Sequence, residues 1–127
     1  MTTVTTLLIV DGANVVGSVP DGWWRDRRGA AVRLRDRLAG LAEHGLPGRP
    51  GPVEIVLVLE GAARGVESVP GVRVEDAPGS GDDRIVELAS ASPDRARLVV
   101  TADRALRDRV TAVGAEVVGP RAVNGQS

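Results

Sequence analysis

The chain has 127 residues, a formal net charge of -1, no cysteine and two aromatic side chains, Trp23 and Trp24. That composition excludes a disulfide framework and a thiolate metal centre, and no apolar run reaches the roughly 18–20 residues of a membrane-spanning helix. All 16 basic residues are arginine, which also excludes any mechanism built on a P-loop lysine or on the lysine of a phosphoacceptor domain.

The length suits one domain over residues 1–127, with a core over about 7–119 made of Val, Leu, Ile and Ala. Residues 1–6 read as a short lead without a signal-type apolar segment, and a cytoplasmic protein is expected. The first strand is Leu7-Leu8-Ile9-Val10, begun at Thr6: four consecutive large apolar residues, as in a strand buried on both faces of a parallel sheet. It ends in Asp11-Gly12. Residues 11–22, with Gly17, Pro20 and Gly22, read as a long irregular loop. A helix follows over 24–43, with Ala31, Leu34, Leu38, Leu41 and Ala42 at three- and four-residue spacing and arginines elsewhere. It stops at Gly45, where His44 reads as a cap that complements the helix dipole.

The second buried strand, 53–59, also ends in an acid and a glycine, Glu60-Gly61. Residues 62–71 read as a loop with or without a short helix, and 72–75 as a weaker strand near an edge. A turn at 77–81 leads into a helix over 82–89 whose first turn carries Asp82 and Asp83, where the dipole favours negative charge. The fourth strand is 98–101; Ala102-Asp103 opens a helix to Val113, a fifth strand takes 117–118, and 119–127 reads as a tail. Alternating strands and helices predict an α/β fold, a parallel sheet with right-handed crossovers.

In such a sheet the residues just past each strand share one rim, where open α/β folds place their ligands. Asp11, Glu60 and Asp103 hold that position, and Asp82 and Asp83 begin a helix whose amino end faces it. Two carboxylates about 5 Å apart repel by roughly 3 kcal/mol at an effective dielectric near 20, so such a cluster calls for protons or a cation. Oxygen-only ligation suits Mg²⁺ or Mn²⁺ rather than zinc. The matching chemistry is attack of metal-activated water on a phosphodiester. Each acid also has a purely structural reading: Asp11 as a turn former, Asp103, Asp82 and Asp83 as helix caps or dipole partners, and Glu60 as a loop acid.

Three segments carry a family resemblance. Leu8-Ile9-Val10-Asp11-Gly12-Ala13-Asn14-Val15-Val16-Gly17, Ser80-Gly81-Asp82-Asp83-Arg84-Ile85-Val86-Glu87-Leu88 and Val99-Val100-Thr101-Ala102-Asp103 resemble the motifs of NYN domains, the YacP-like branch of the PIN-like nuclease superfamily, over about residues 7–119. The resemblance implies a PIN-like domain with a five-stranded parallel sheet in the order 3-2-1-4-5 and metal-dependent ribonuclease activity. It implies that Asp11 is the first acidic ligand, that Asn14 orients it or touches a phosphate, and that Asp82 and Asp103 are the middle and late acids. Glu60 stands where related sequences often carry Asp, and the longer side chain could ligate through water.

Gly22-Trp23-Trp24-Arg25-Asp26-Arg27-Arg28 sets both tryptophans in a basic cluster near the Asp11 loop. Trp23 and Trp24 could stack RNA bases while Arg25 and Arg28 hold phosphates, or the rings could cover the helix end. Arg104 and Arg107 follow Asp103 and could reach a bound backbone, or face solvent. If four acids gather in one pocket, 13 acidic residues remain elsewhere against 16 basic ones, a surface that suits RNA, single-stranded or structured. The pattern leaves room for a homodimer. Two rivals stand beside the nuclease: a non-catalytic RNA-binding or protein-interaction module, and another metal-dependent phosphotransfer enzyme, such as a Toprim-like protein or a small-molecule phosphatase. The former would hold no divalent ion. The Toprim-like reading lacks an Asp-x-Asp after a later strand.

Overall fold

Strand alternation sorts the side chains onto two faces. In the computed structural model, which describes residues 5–124, β1 (Thr6–Asp11) lies at the centre. It pairs in parallel with β4 (Val53–Leu59) on one side and β6 (Arg97–Val100) on the other. β5 (Val72–Asp76) and β7 (Glu116–Val118) form the two edges, so the sheet runs β5-β4-β1-β6-β7, all parallel. With the two-residue strands β2 (Gly45–Leu46) and β3 (Arg49–Pro50) set apart as a small antiparallel hairpin, this is the expected order 3-2-1-4-5.

Leu8 and Val10, with Ile55, Leu57, Leu98 and Val100, face α1 (Gly12–Gly17), α2 (Arg27–Ala39) and α5 (Arg121–Asn124). Leu7 and Ile9, with Val56, Val58 and Val99, face α3 (Gly81–Ala91) and α4 (Arg104–Thr111). The helices therefore form layers on both sides of the sheet, and the residues of the central strands β1 and β6, and of β4 apart from Glu54, are packed from above or below. That is why the central strands read as unbroken apolar runs.

Four expectations need correction. Residues 11–22 are not all loop: the Asp11 carboxylate accepts from the Asn14 N–H and caps α1, whose Val15 is buried in the core. The long helix does not start at Trp24. The Asp26 side chain accepts from the Gly29 N–H at 2.9 Å and starts α2 at Arg27, which leaves Trp23–Arg25 as a single 3-10 turn outside it. That helix ends at Ala39, so His44 stands five residues past its end; the His44 carbonyl accepts from the Gly51 N–H beside the hairpin, and no helix dipole is complemented. The expected tail contains α5, which buries Val123 and ties Asn124 to Ser18 and Arg37. Residues 1–4 of the expected lead and 125–127 of the expected tail lie outside the described residues.

Candidate active site

The carboxyl rim of the sheet is built by parity. Leu7, Ile9 and Asp11 share a face in β1, Val56 and Val58 lead to Glu60 along β4, and Val99 leads to Thr101 past β6. All of these project toward the layer of α3 and α4, where Asp82 lies in the first turn of α3. A one-residue slip in any strand would move its acid to the other layer.

Asp11 is 4% exposed. Its Oδ2 accepts from the Thr101 hydroxyl at 2.8 Å, and its Oδ1 accepts from the Asn14 N–H at 3.4 Å. Burial pushes its pKa from 3.8 up to about 6; those two hydrogen bonds hold the rise down, and the charges of Asp82 and Glu60 add to it. The Thr101 oxygen also accepts from the Asp103 N–H at 3.1 Å, so one buried hydroxyl links the first acid to the late one. Sequence reasoning passed over Thr101. Its signal was parity, two residues before Asp103 and on the same side of the strand.

Asp82 is the hub of the group. Burial raises its pKa, followed by the charges of Asp103 and Glu60; Arg109 lowers it and Asp83 raises it slightly. Among the described residues its carboxylate accepts no hydrogen bond, and its backbone N–H donates to the Ser80 hydroxyl, the cap of the helix. Glu60 reaches α3 through Oε1, which accepts from the Gly81 N–H at 3.2 Å. A Cβ at Gly81 would stand 2.5 Å from that oxygen and displace the Glu60 carboxylate. Gly12 is more tightly constrained, since a Cβ there would meet the Val58 backbone carbonyl at 2.7 Å where α1 leaves the sheet.

Asp103 caps α4 by accepting from the Leu106 N–H at 3.0 Å, which leaves Oδ2 without a hydrogen-bond partner among the described residues. The expected cap is therefore present, and it leaves one carboxylate oxygen open to a ligand. Asp83 is exposed and pairs with Arg109 at 3.0 Å, so its charge is largely balanced away from the hub. Asn14 acts on the loop, its side-chain oxygen accepting from the Ala102 N–H at 2.8 Å and binding α1 to the β6–α4 turn. Trp23 is half-buried beside the rim, with the Arg27 guanidinium 4.9 Å from its ring centre. Trp24 is 53% exposed, with Arg25 5.7 Å from its ring. Arg28 donates to the Arg64 carbonyl, whereas Arg104 and Arg107 are exposed and form no ion pair among the described residues.

Asp82 and Glu60 thus lie within reach of the charge of Asp11, and Asp103 and Glu60 within reach of that of Asp82. The four offer oxygen ligands alone, and Asp11 and Asp82 are both pushed toward protonation. That donor set fits a hard divalent cation in kind and in charge. Among the described residues no three acids form a ready-made cage for one ion; they make an open arc.

No family model matches the sequence, and no curated protein matches it. In structure the chain is similar to Rae1 (YacP) from Bacillus subtilis, with a TM-score of 0.75 and 21% identity over 91% of this chain and 70% of that one. A tryptophan-to-leucine mutant of the same protein gives a TM-score of 0.72 and 21% identity, covering 94% of this chain and 72% of that one. The chain therefore shares the α/β fold of Rae1 (YacP), with the strand order that the resemblance of the three motifs implies. Among the described residues no helix is long and apolar enough to cross a membrane.

Proposed function

We propose that this protein is a metal-dependent ribonuclease that hydrolyses RNA phosphodiester bonds at the arc of Asp11, Asp82 and Asp103, with Glu60 at its end. One observation carries this reading: four acids from separate segments stand at one rim, and burial, with a smaller push from Asp82 and Glu60, holds Asp11 up to about 6. The likeness of fold to Rae1 supports it. Asp11, Asp82 and Asp103 would hold Mg²⁺ or Mn²⁺, with Glu60 reaching it directly or through water. A divalent ion bound there lowers the pKa of water and offsets charge on the phosphate.

The chain's own residues do the rest. Thr101 keeps the Asp11 carboxylate aimed and, at neutral pH, charged, while Asn14 fixes the turn that carries Asp103. The Asp82 carboxylate, held by no hydrogen bond among the described residues, is free to swing within the arc. Arg104 and Arg107, on the first turn of the helix that Asp103 caps, are placed to take phosphates flanking the cleaved bond.

Asp11→Asn and Asp82→Asn should each abolish Mn²⁺-dependent cleavage of single-stranded RNA while circular dichroism stays as in the wild type. Turnover retained in both variants would count decisively against this assignment. The open spacing of the acids favours one rival, a non-catalytic RNA-binding module. Calorimetric titration with Mn²⁺ separates the two, since the module predicts no saturable binding.

A further inference from the structure

A cavity of about 190 Å³ opens beside the acidic rim, and Val16, Trp23, Arg27, Leu59, Glu60 and Ala62 are among its walls. Pockets for drug-sized ligands run to about 300–1,000 Å³, so this one takes a single small ring system. One part of its lining is apolar, from Val16, Leu59 and Ala62. Another carries the Trp23 indole with the Arg27 guanidinium carbon 4.9 Å from its ring centre, and Trp24 meets Trp23 edge-on at 5.9 Å between ring centres. Aromatic rings and guanidinium planes are the surfaces against which unpaired bases stack.

We propose that this cavity is a subsite for one unpaired nucleobase, next to the phosphate that the acidic arc cleaves; the inference rests on the ribonuclease reading above. Two residues join the cavity to the arc. Gly12, in the wall, directly follows Asp11, and Glu60 borders both spaces. Glu60 Oε1 is taken by the Gly81 N–H, while Oε2 has no partner among the described residues. A carboxylate in the wall disfavours a phosphate and accepts the exocyclic amino group of adenine, cytosine or guanine. The occupant is thus a base with an amino edge, and the enzyme acts on strands whose bases are free to leave the stack.

The test is an abasic walk. A labelled oligoadenylate hexamer, and six versions each lacking one base, are titrated by anisotropy with the 127-residue chain in EDTA at low salt. One position should lose about tenfold in affinity, the size of one base–aromatic contact, with the others changed less than about twofold. Ala62→Leu fills the cavity from an exposed position and should flatten the walk; Trp23→Ala should do the same, with folding checked by circular dichroism. A flat walk in the wild type, no binding, or a wild-type pattern that survives Ala62→Leu overturns the subsite. Cleavage is off in EDTA, so the two proposals fail separately. A flat walk with Mn²⁺-dependent cleavage intact removes the subsite alone, whereas a position-specific walk without any cleavage in Mn²⁺ removes the ribonuclease reading.

Discussion

Asp11 carries two opposed demands, a buried place in the sheet and, on the proposed function, a charge that would hold a cation. Its carboxyl is raised from 3.8 to about 6, so between these pH values the folded protein holds a proton that the unfolded chain has lost. Stability of the metal-free protein therefore falls as pH rises through that window and stays lower above it. Asp11→Asn removes the penalty. Urea unfolding at pH 7.5 should find the variant more stable than the wild type by on the order of 1–3 kcal/mol, with the gain gone near pH 3.5. No gain at pH 7.5 would mean that Asp11 is not strained by its charge. On the proposed function the same titration would set the acid limb of activity, because a protonated Asp11 would hold no cation; cleavage should fall away below about pH 6. Thr101→Val, which keeps the shape and removes the hydroxyl, should move that limb up by about one pH unit. A limb that stays in place would show that Thr101 only packs.

The acids themselves were legible at this scale, since each ends a buried strand or opens a helix. Thr101 was less so. A threonine after a strand carries no charge or periodic signal, and its role emerges only when 9 and 11, 58 and 60, and 99 and 101 are counted onto one face.

Among the elements, the sheet and its order were readable because strands packed on both faces must be apolar throughout, which marks them as central and parallel. The two short helices were not. A six-residue helix such as α1 and a four-residue helix such as α5 are too brief to show a period, and what starts α1 is a cap from the same Asp11 that was read as catalytic. The boundary of α2 was missed for a similar reason: the apolar period begins only at Ala31, and a side-chain cap from Asp26 sets the start at Arg27. Caps also govern the site. Ser80 holds the first turn of α3 in place, and Asp82 rides on that turn. Ser80→Ala should cost about 1 kcal/mol in chemical unfolding and reduce cleavage more than that loss of stability explains, while Ser80→Thr restores both. Equal activity in all three proteins would uncouple the cap from the hub. On the other layer, Val123→Ala should cost about 2 kcal/mol, since its side chain is buried against the core although its helix lies where a tail was expected.

Over the whole molecule, a net charge of -1 conceals a division. Four acids cluster at one rim, and exposed arginines stand on the helices beside it: Arg25, Arg27 and Arg28 near one end, Arg104 and Arg107 near the other. An RNA strand crossing the rim would meet positive charge before and after the acids. For single-stranded nucleic acid, affinity falls with a log–log salt slope of about 0.7 per phosphate neutralised. The double variant Arg104→Ala with Arg107→Ala should therefore flatten the salt dependence of RNA binding by about 0.7–1.4 in slope and raise KM, with kcat at saturating RNA little changed. Asp11→Asn should do the reverse, leaving the slope as in the wild type while removing turnover. A double variant with an unaltered slope would place the RNA path away from α4, and the strand would then have to leave the arc on the side of the tryptophans.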